Sequence, residues 1–125
     1  MVKSEREQRY IDIQQRAFSF ACRIIRLYNY ISRQKGAGQI LCKQILRSGT
    51  SIGANLQEAS AGQSKADFIS KCNIALKEAR ETHCWLSLLK ETNIVSSGKI
   101  RELLEESNQI VAIITVIVKN SRKIR

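Results

Sequence analysis

The sequence predicts an all-α protein built as an antiparallel, up-down-up-down four-helix bundle. Three observations carry that expectation. No proline occurs in 125 residues, and 43% of them are hydrophobic with only 6% aromatic, a composition that favours long helices over a sheet. Apolar residues recur at helical spacing through four segments. Short breaks rich in glycine, serine and asparagine separate those segments, so consecutive helices must fold back on one another. Residues 1–125 make a single domain, since a chain of this length buries about two-thirds of its unfolded surface around one core.

Helix one is expected over about 7–34, ending at "KGAG", where Gly36 suits a left-handed C-terminal cap. At 100° per residue, Ile13, Ala17, Ala21, Ile24, Ile25, Tyr28 and Ile31 share a face that reads as core. Helix two, about 39–60, contains "RSGTSIGANLQEA", Arg47 to Ala59. These are poor helix formers, yet Ile52, Leu56 and Ala59 fall at helical spacing. Gly49 and Gly53 lie four apart on one face. Each costs about 1 kcal/mol of helix propensity and permits a tight helix crossing. Beside them Arg47, Ser51, Asn55 and Glu58 form a polar stripe, expected to be a hydrogen-bonded structural network that fixes register rather than an active site.

"AGQSKADF" ends helix two, and Ser64 with Asp67 resembles a capping box at the start of helix three, about 65–92. Phe68, Cys72, Ala75, Leu76, Ala79 and Leu86 form its core side, while Ile74, Trp85 and Leu88 lie opposite, flanking Glu81. After "NIVSSGK", helix four runs over about 98–120. Leu103, Ser107, Ile110, Ile114 and Ile117 form its core stripe, and Ile113 and Val116 point elsewhere. A helix that is apolar beyond one stripe is covered most simply by a subunit neighbour. Ile74, Glu81, Trp85, Leu88, Ile113 and Val116 are therefore the expected oligomer interface.

Several function classes are excluded. The longest apolar run, "IVAIITVIV" from Ile110 to Val118, is far shorter than the ~20 residues a membrane-spanning helix needs. The first residues lack a signal-peptide core, so a soluble, cytoplasmic protein is expected. Cys22, Cys42, Cys72 and Cys84 are widely spaced and read as reduced thiols. His83 is the only histidine. It adjoins Cys84, but consecutive helical residues diverge by about 100°, which rules against a nucleophile pair. Glu78 and Glu81 lack the histidine partners of a di-iron bundle, and no phosphate-cradling glycine loop occurs. No catalytic residue, metal or cofactor is expected.

Charge points the other way, towards a polyanionic partner. The net charge is +10, and the first 36 residues hold eight basic and three acidic side chains. Residues 97–125 hold six basic and three acidic. On helix one Arg9, Arg16, Arg23, Arg26 and Arg33 lie opposite the predicted core face, with Tyr30 among them. Phosphate contact and base stacking use such a combination. In the predicted topology the start of helix one meets the end of helix four, gathering Lys3, Arg6 and Arg9 with Lys119, Arg122, Lys123 and Arg125. No motif reads a base sequence, so binding to RNA or DNA would be led by backbone charge. The alternative is a protein-interaction scaffold whose basic surface meets an acidic partner.

Two stretches, "RSGTSIGANLQEA" and "SKADFISKCNIALKEARETHCWLSLL", closely resemble the four-helix-bundle family of 23S rRNA-intervening-sequence proteins. The family's second-helix pattern R-S-x-x-S-I-x-x-N-x-x-E is met by Arg47, Ser48, Ser51, Ile52, Asn55 and Glu58. Its third-helix pattern F-I-x-K-x-x-I-A-x-K-E-A-x-E-T-x-x-W-L is met from Phe68 to Leu86. Cys84 stands where an aromatic residue is common and Cys72 where leucine is. The match is dense over Arg47 to Leu89 and rests elsewhere on length and helix order. The resemblance implies a ring-forming homopentamer. Related accessory proteins of diversity-generating retroelements further imply binding to nucleic acid and to a reverse transcriptase.

Overall fold

The computed structural model describes residues 3–33 and 35–123, with the backbone alone at Ser97. Its elements are α1 (Glu5–Ile31), α2 (Ala37–Ser60), α3 (Lys65–Glu91) and α4 (Ser97–Lys123). Helices α2 and α4 flank α1, and the same two flank α3, while the diagonal pairs do not meet. This square, sequential packing is the up-down-up-down bundle that the segment pattern predicts. The α2–α3 face is the most extensive and the α1–α4 face the least, so the seam between the first and last helices is the bundle's most open side.

Caps set the helix ends. Ser4 Oγ accepts from the Glu7 N–H at 3.1 Å while its hydroxyl donates to the Glu7 carboxylate at 3.2 Å, which starts α1 two residues before the expected boundary. Ser64 Oγ accepts from the Asp67 N–H at 3.1 Å and starts α3 where the sequence places it. Helix α3 closes on Asn93, whose φ is 56°. The Asn93 N–H bonds the Lys90 carbonyl and the Ile94 N–H bonds the Leu89 carbonyl, both at 3.2 Å, so the left-handed residue satisfies two terminal carbonyls. Gly36 does take a positive φ of 88°, but it precedes α2 rather than capping α1. Helix α1 stops earlier, at a right-handed Ser32 whose N–H bonds the Tyr28 carbonyl at 2.8 Å. Gln34, the expected end of helix one, lies outside the described residues.

The core repeats with a period of 3.5 residues. Buried positions in α1 are Ile13, Ala17, Phe20, Ile24, Leu27 and Ile31, alternately four and three apart. In α2 the series is Gly38, Cys42, Ile45, Gly49, Ile52, Leu56 and Ala59, and in α3 it is Cys72, Ala75, Ala79, Thr82, Leu86 and Leu89. Heptads of this kind keep one seam facing the neighbours along gently supercoiled helices. A straight 3.6-residue projection drifts from that seam. Hence Ile25, expected inside, is 45% exposed, Ala21 and Tyr28 are half-buried, and Phe20 and Leu27 fill the interior instead. Ile117 and Phe68 are likewise only half-buried, while Ile100 and Val118 are buried.

The glycine pair on α2 faces α1. A Cβ at Gly49 would lie 2.9 Å from Ile24 Cγ1, and one at Gly53 would lie 3.6 Å from the Ala17 Cβ. The tight crossing expected from the spacing is therefore between α1 and α2. Among the described residues no helix is long and apolar enough to cross a membrane.

Candidate nucleic-acid interface

Arg9, Arg16 and Arg23 are seven apart on α1, so a heptad helix presents them at one angle. Arg16 and Arg23 turn towards α4 and are ion-paired there, not held free opposite the core. Arg16 grips Glu106 in a fork, with Nε–Oε2 at 3.0 Å and Nη2–Oε1 at 2.7 Å, and Nη2 also donates to Gln109 Oε1 at 2.7 Å. Hydrogen bonding to Glu106 raises the Arg16 pKa further above its ordinary value. Arg23 Nη2 lies 3.3 Å from Glu102 Oε2. Glu102 and Glu106 are one turn apart on α4 and face α1, a pairing visible only once the two helices are docked. Arg9, Arg26 and Arg33 are exposed and have no ion pair among the described residues.

The start of α1 and the end of α4 do share one end of the bundle. Arg6, Arg9 and Tyr10 line a groove of about 420 Å³ with Ile117, Asn120 and Ser121. Lys119, Arg122 and Lys123 are exposed on the adjoining turn, where cations also suit the negative end of the helix dipole. The pole is not purely basic, since Glu7 lines the same groove. Arg125 lies outside the described residues.

At the opposite end of the α1–α4 seam, Arg23, Arg26, Leu27, Tyr30, Lys99, Glu102 and Leu103 surround a concavity of about 260 Å³. Tyr30 is 54% exposed, and the Lys99 ammonium sits 4.3 Å from the centre of its ring. Lys99 escaped the sequence reading because its neighbour is on another helix. Its place in the first turn of α4, opposite the last turns of α1 in an antiparallel pair, was the available signal.

The polar stripe of α2 does not form one network. Arg47 reaches across to α3, with Nη2 2.8 Å from Glu81 Oε2 and Nη1 3.3 Å from Glu78 Oε2, and these carboxylates raise its pKa. Ser51 and Asn55 instead bond carbonyls of their own helix, at Ser48 and Ser51. Glu58 is exposed and makes no side-chain hydrogen bond among the described residues. The polar pair that is fully buried is Ser48 with Thr82, at 2.8 Å. Intrahelical bonding explains the difference, because short polar side chains on a helix can satisfy themselves on the preceding turn.

Of the expected oligomer patch, Ile74, Leu88 and Val116 are exposed, whereas Glu81, Trp85 and Ile113 are half-buried. Glu81 is taken by Arg47, and Trp85 and Ile113 pack against the core. Trp85 Nε1 is buried without a hydrogen-bond partner. A second apolar set, Phe18 and Ile25 on α1 and Ile40 on α2, is exposed as well. The thiols are all free, with Cys42 and Cys72 buried and Cys84 exposed. His83 Nδ1 lies 2.9 Å from Ser107 Oγ.

Comparison with known proteins agrees with this architecture. A family model described as 23S rRNA-intervening sequence protein matches residues 9–116. No curated protein matches the chain. The chain is similar to a crystal structure of a protein of unknown function from the S23 ribosomal protein family of Bacteroides thetaiotaomicron. That likeness has a TM-score of 0.80 and 42% identity, and it covers 86% of this chain and 98% of the other. The chain belongs to the family of 23S rRNA-intervening sequence proteins.

Proposed function

We propose that this protein is a non-enzymatic, oligomeric nucleic-acid-binding protein that holds RNA or DNA through backbone phosphates. The observation that carries the reading is the surplus of cations on the outer side of α1 and α4. Only Arg16 and Arg23 there are ion-paired among the described residues, which leaves Arg9 and Arg26 exposed on α1 and Lys119, Arg122 and Lys123 exposed at the end of α4. A chain of net charge +10 with so few internal pairs suits a polyanion whose binding releases counterions. Membership of a family named for a 23S rRNA intervening sequence is in keeping with it.

Oligomerisation is supported by exposed apolar side chains on separate helices, Phe18 and Ile25 on α1 and Ile74 and Leu88 on α3. Contact between unlike patches is head-to-tail and forms a ring when the rotation between neighbours closes. A pentamer is the size that the family resemblance favours. A ring would repeat the basic seam around its rim and add avidity without tight binding by any one subunit. Where a reverse transcriptase is the protein partner, such a ring would present nucleic acid to it.

The test is affinity for labelled RNA and DNA as salt is raised. Between 50 and 200 mM salt it should fall by roughly 10³–10⁵ if about six to ten phosphates are contacted. Reversing Arg9 and Arg26 to Glu should weaken all sequences about equally. Salt-insensitive binding, or no binding, would overturn the reading and leave an acidic protein as the partner of the basic surface.

A further inference from the structure

We infer that the concavity between the end of α1 and the start of α4 is a nucleotide-sized site for one unit of a single strand. It would take a phosphate among Arg23, Arg26 and Lys99 and an unpaired base on the ring of Tyr30. This rests on the nucleic-acid reading and adds to it the class of strand.

The walls supply the chemistry. Three cations face one carboxylate, Glu102, over a floor of Leu27 and Leu103. At about 260 Å³ the space is smaller than the ~300–1,000 Å³ of pockets that engulf a whole drug-sized ligand. It suits one phosphate and its sugar, with the base lying outside on the exposed ring.

The cations are assembled there but weakly held. Glu102 is 78% exposed and lies 3.3 Å from Arg23, and an ion pair so open to water contributes little. A phosphate offers the arginine fork a better match than this single contact. One heptad earlier the situation is reversed, because Arg16 is forked onto the half-buried Glu106 and bonded to Gln109 as well. Along the seam, then, Arg23 is the paired arginine that an anion can recruit.

Lys99 links the two halves of the site. Its ammonium rests on the Tyr30 ring, an exposed cation–π contact of modest strength. Swinging from the ring to a bound phosphate, it uncovers the aromatic face. A base can then stack there only if it is not already stacked within a duplex. Phosphate binding and base binding are thereby coupled, and single strands are preferred.

Fluorescence anisotropy with a labelled oligothymidylate and a duplex of equal length, using the full chain, tests this. Tyr30→Leu should lower affinity for the single strand by about 5- to 100-fold, the loss of one base–aromatic stack, and leave the duplex within about twofold. Tyr30→Phe should retain single-strand binding, since the ring remains. Glu102→Gln should tighten the single strand about fivefold, because one negative charge leaves the phosphate's surroundings. If the wild type binds both nucleic acids and Tyr30→Leu affects them equally or not at all, the pocket is overturned and the broader reading stands. A wild type that binds neither overturns the reading beneath it.

Discussion

Gly49 of α2 faces Ile24 of α1 so closely that a Cβ on the glycine would lie 2.9 Å from the isoleucine Cγ1 and 3.0 Å from Cγ2. One turn on, the same atom at Gly53 would meet the Ala17 Cβ at 3.6 Å, an ordinary contact. The two glycines share a face in the sequence, yet only one is required by packing. Ile24 is fully buried, and the atoms in the way are the two γ-carbons at its β-branch rather than a flexible side-chain end, so it cannot step aside cheaply.

Gly49→Ala should therefore destabilise the bundle by about 1–3 kcal/mol, since overpacking outweighs the gain in helix propensity. Gly53→Ala should stabilise it by about 0.5–1 kcal/mol. Urea unfolding of both variants gives the signs. Stabilisation by both would mean that Ile24 moves freely and that the crossing is looser than its geometry.

The buried hydroxyls make a second, coupled test. Thr82 Oγ1 lies 2.8 Å from Ser48 Oγ and 2.8 Å from the Glu78 carbonyl. One hydrogen cannot serve both contacts, and only donation to the carbonyl leaves both satisfied, with the serine hydrogen completing the pair. Thr82→Val strands the Ser48 hydroxyl and should cost about 1–3 kcal/mol, against about 0.5–1.5 for Ser48→Ala, which leaves Thr82 bonded to Glu78. The double variant should cost clearly less than the sum. Strict additivity would show that the two hydroxyls do not interact.

These pairs mark where the sequence was legible. Local signals sufficed for the four helices: absence of proline, glycine-rich breaks, the Ser64 cap and the spacing of Gly49 and Gly53. What failed depended on docking. The interior positions Phe20 and Leu27 follow from a supercoiled 3.5-residue period, whereas an uncorrected helix favours Ile25 and Tyr28. The arginines of α1 were recognisable as a basic series. Which of them Glu102 and Glu106 would occupy depends on the face that α4 turns to α1, and the same holds for Lys99 over Tyr30. Charge is written in one segment, but its neutralisation is written in two.

Stability should also depend on pH in the alkaline range. Burial pushes the Cys72 thiol from its ordinary 9.0 up to about 11, and burial pushes Tyr10 up too. A thiol whose pKa is higher folded than unfolded contributes stability that is present below the unfolded value and is lost as pH rises towards the folded one. Unfolding midpoints should thus fall between pH 9.0 and about 11. Cys72→Val removes this titration at nearly constant volume and should flatten the fall. An unchanged slope would assign the loss to other groups.

Assembly offers the last prediction. Phe18 is 70% exposed on α1 and Leu88 is 41% exposed on α3, and these helices are diagonal in the bundle, so the two side chains belong to separate patches. If the patch of one subunit meets the other patch of the next, light scattering should show an oligomer of the wild type. Phe18→Glu and Leu88→Glu should each give monomers with full helical signal, because neither side chain is in the core. Each variant still carries one intact patch, so mixing the two should yield species of two chains and no larger. Trp85 is a poorer probe, as it packs against the core and its loss would lower helicity and assembly together. A monomeric wild type would refute the interface. Continued assembly by Phe18→Glu would instead mean that the α3 patch pairs with itself across a two-fold axis.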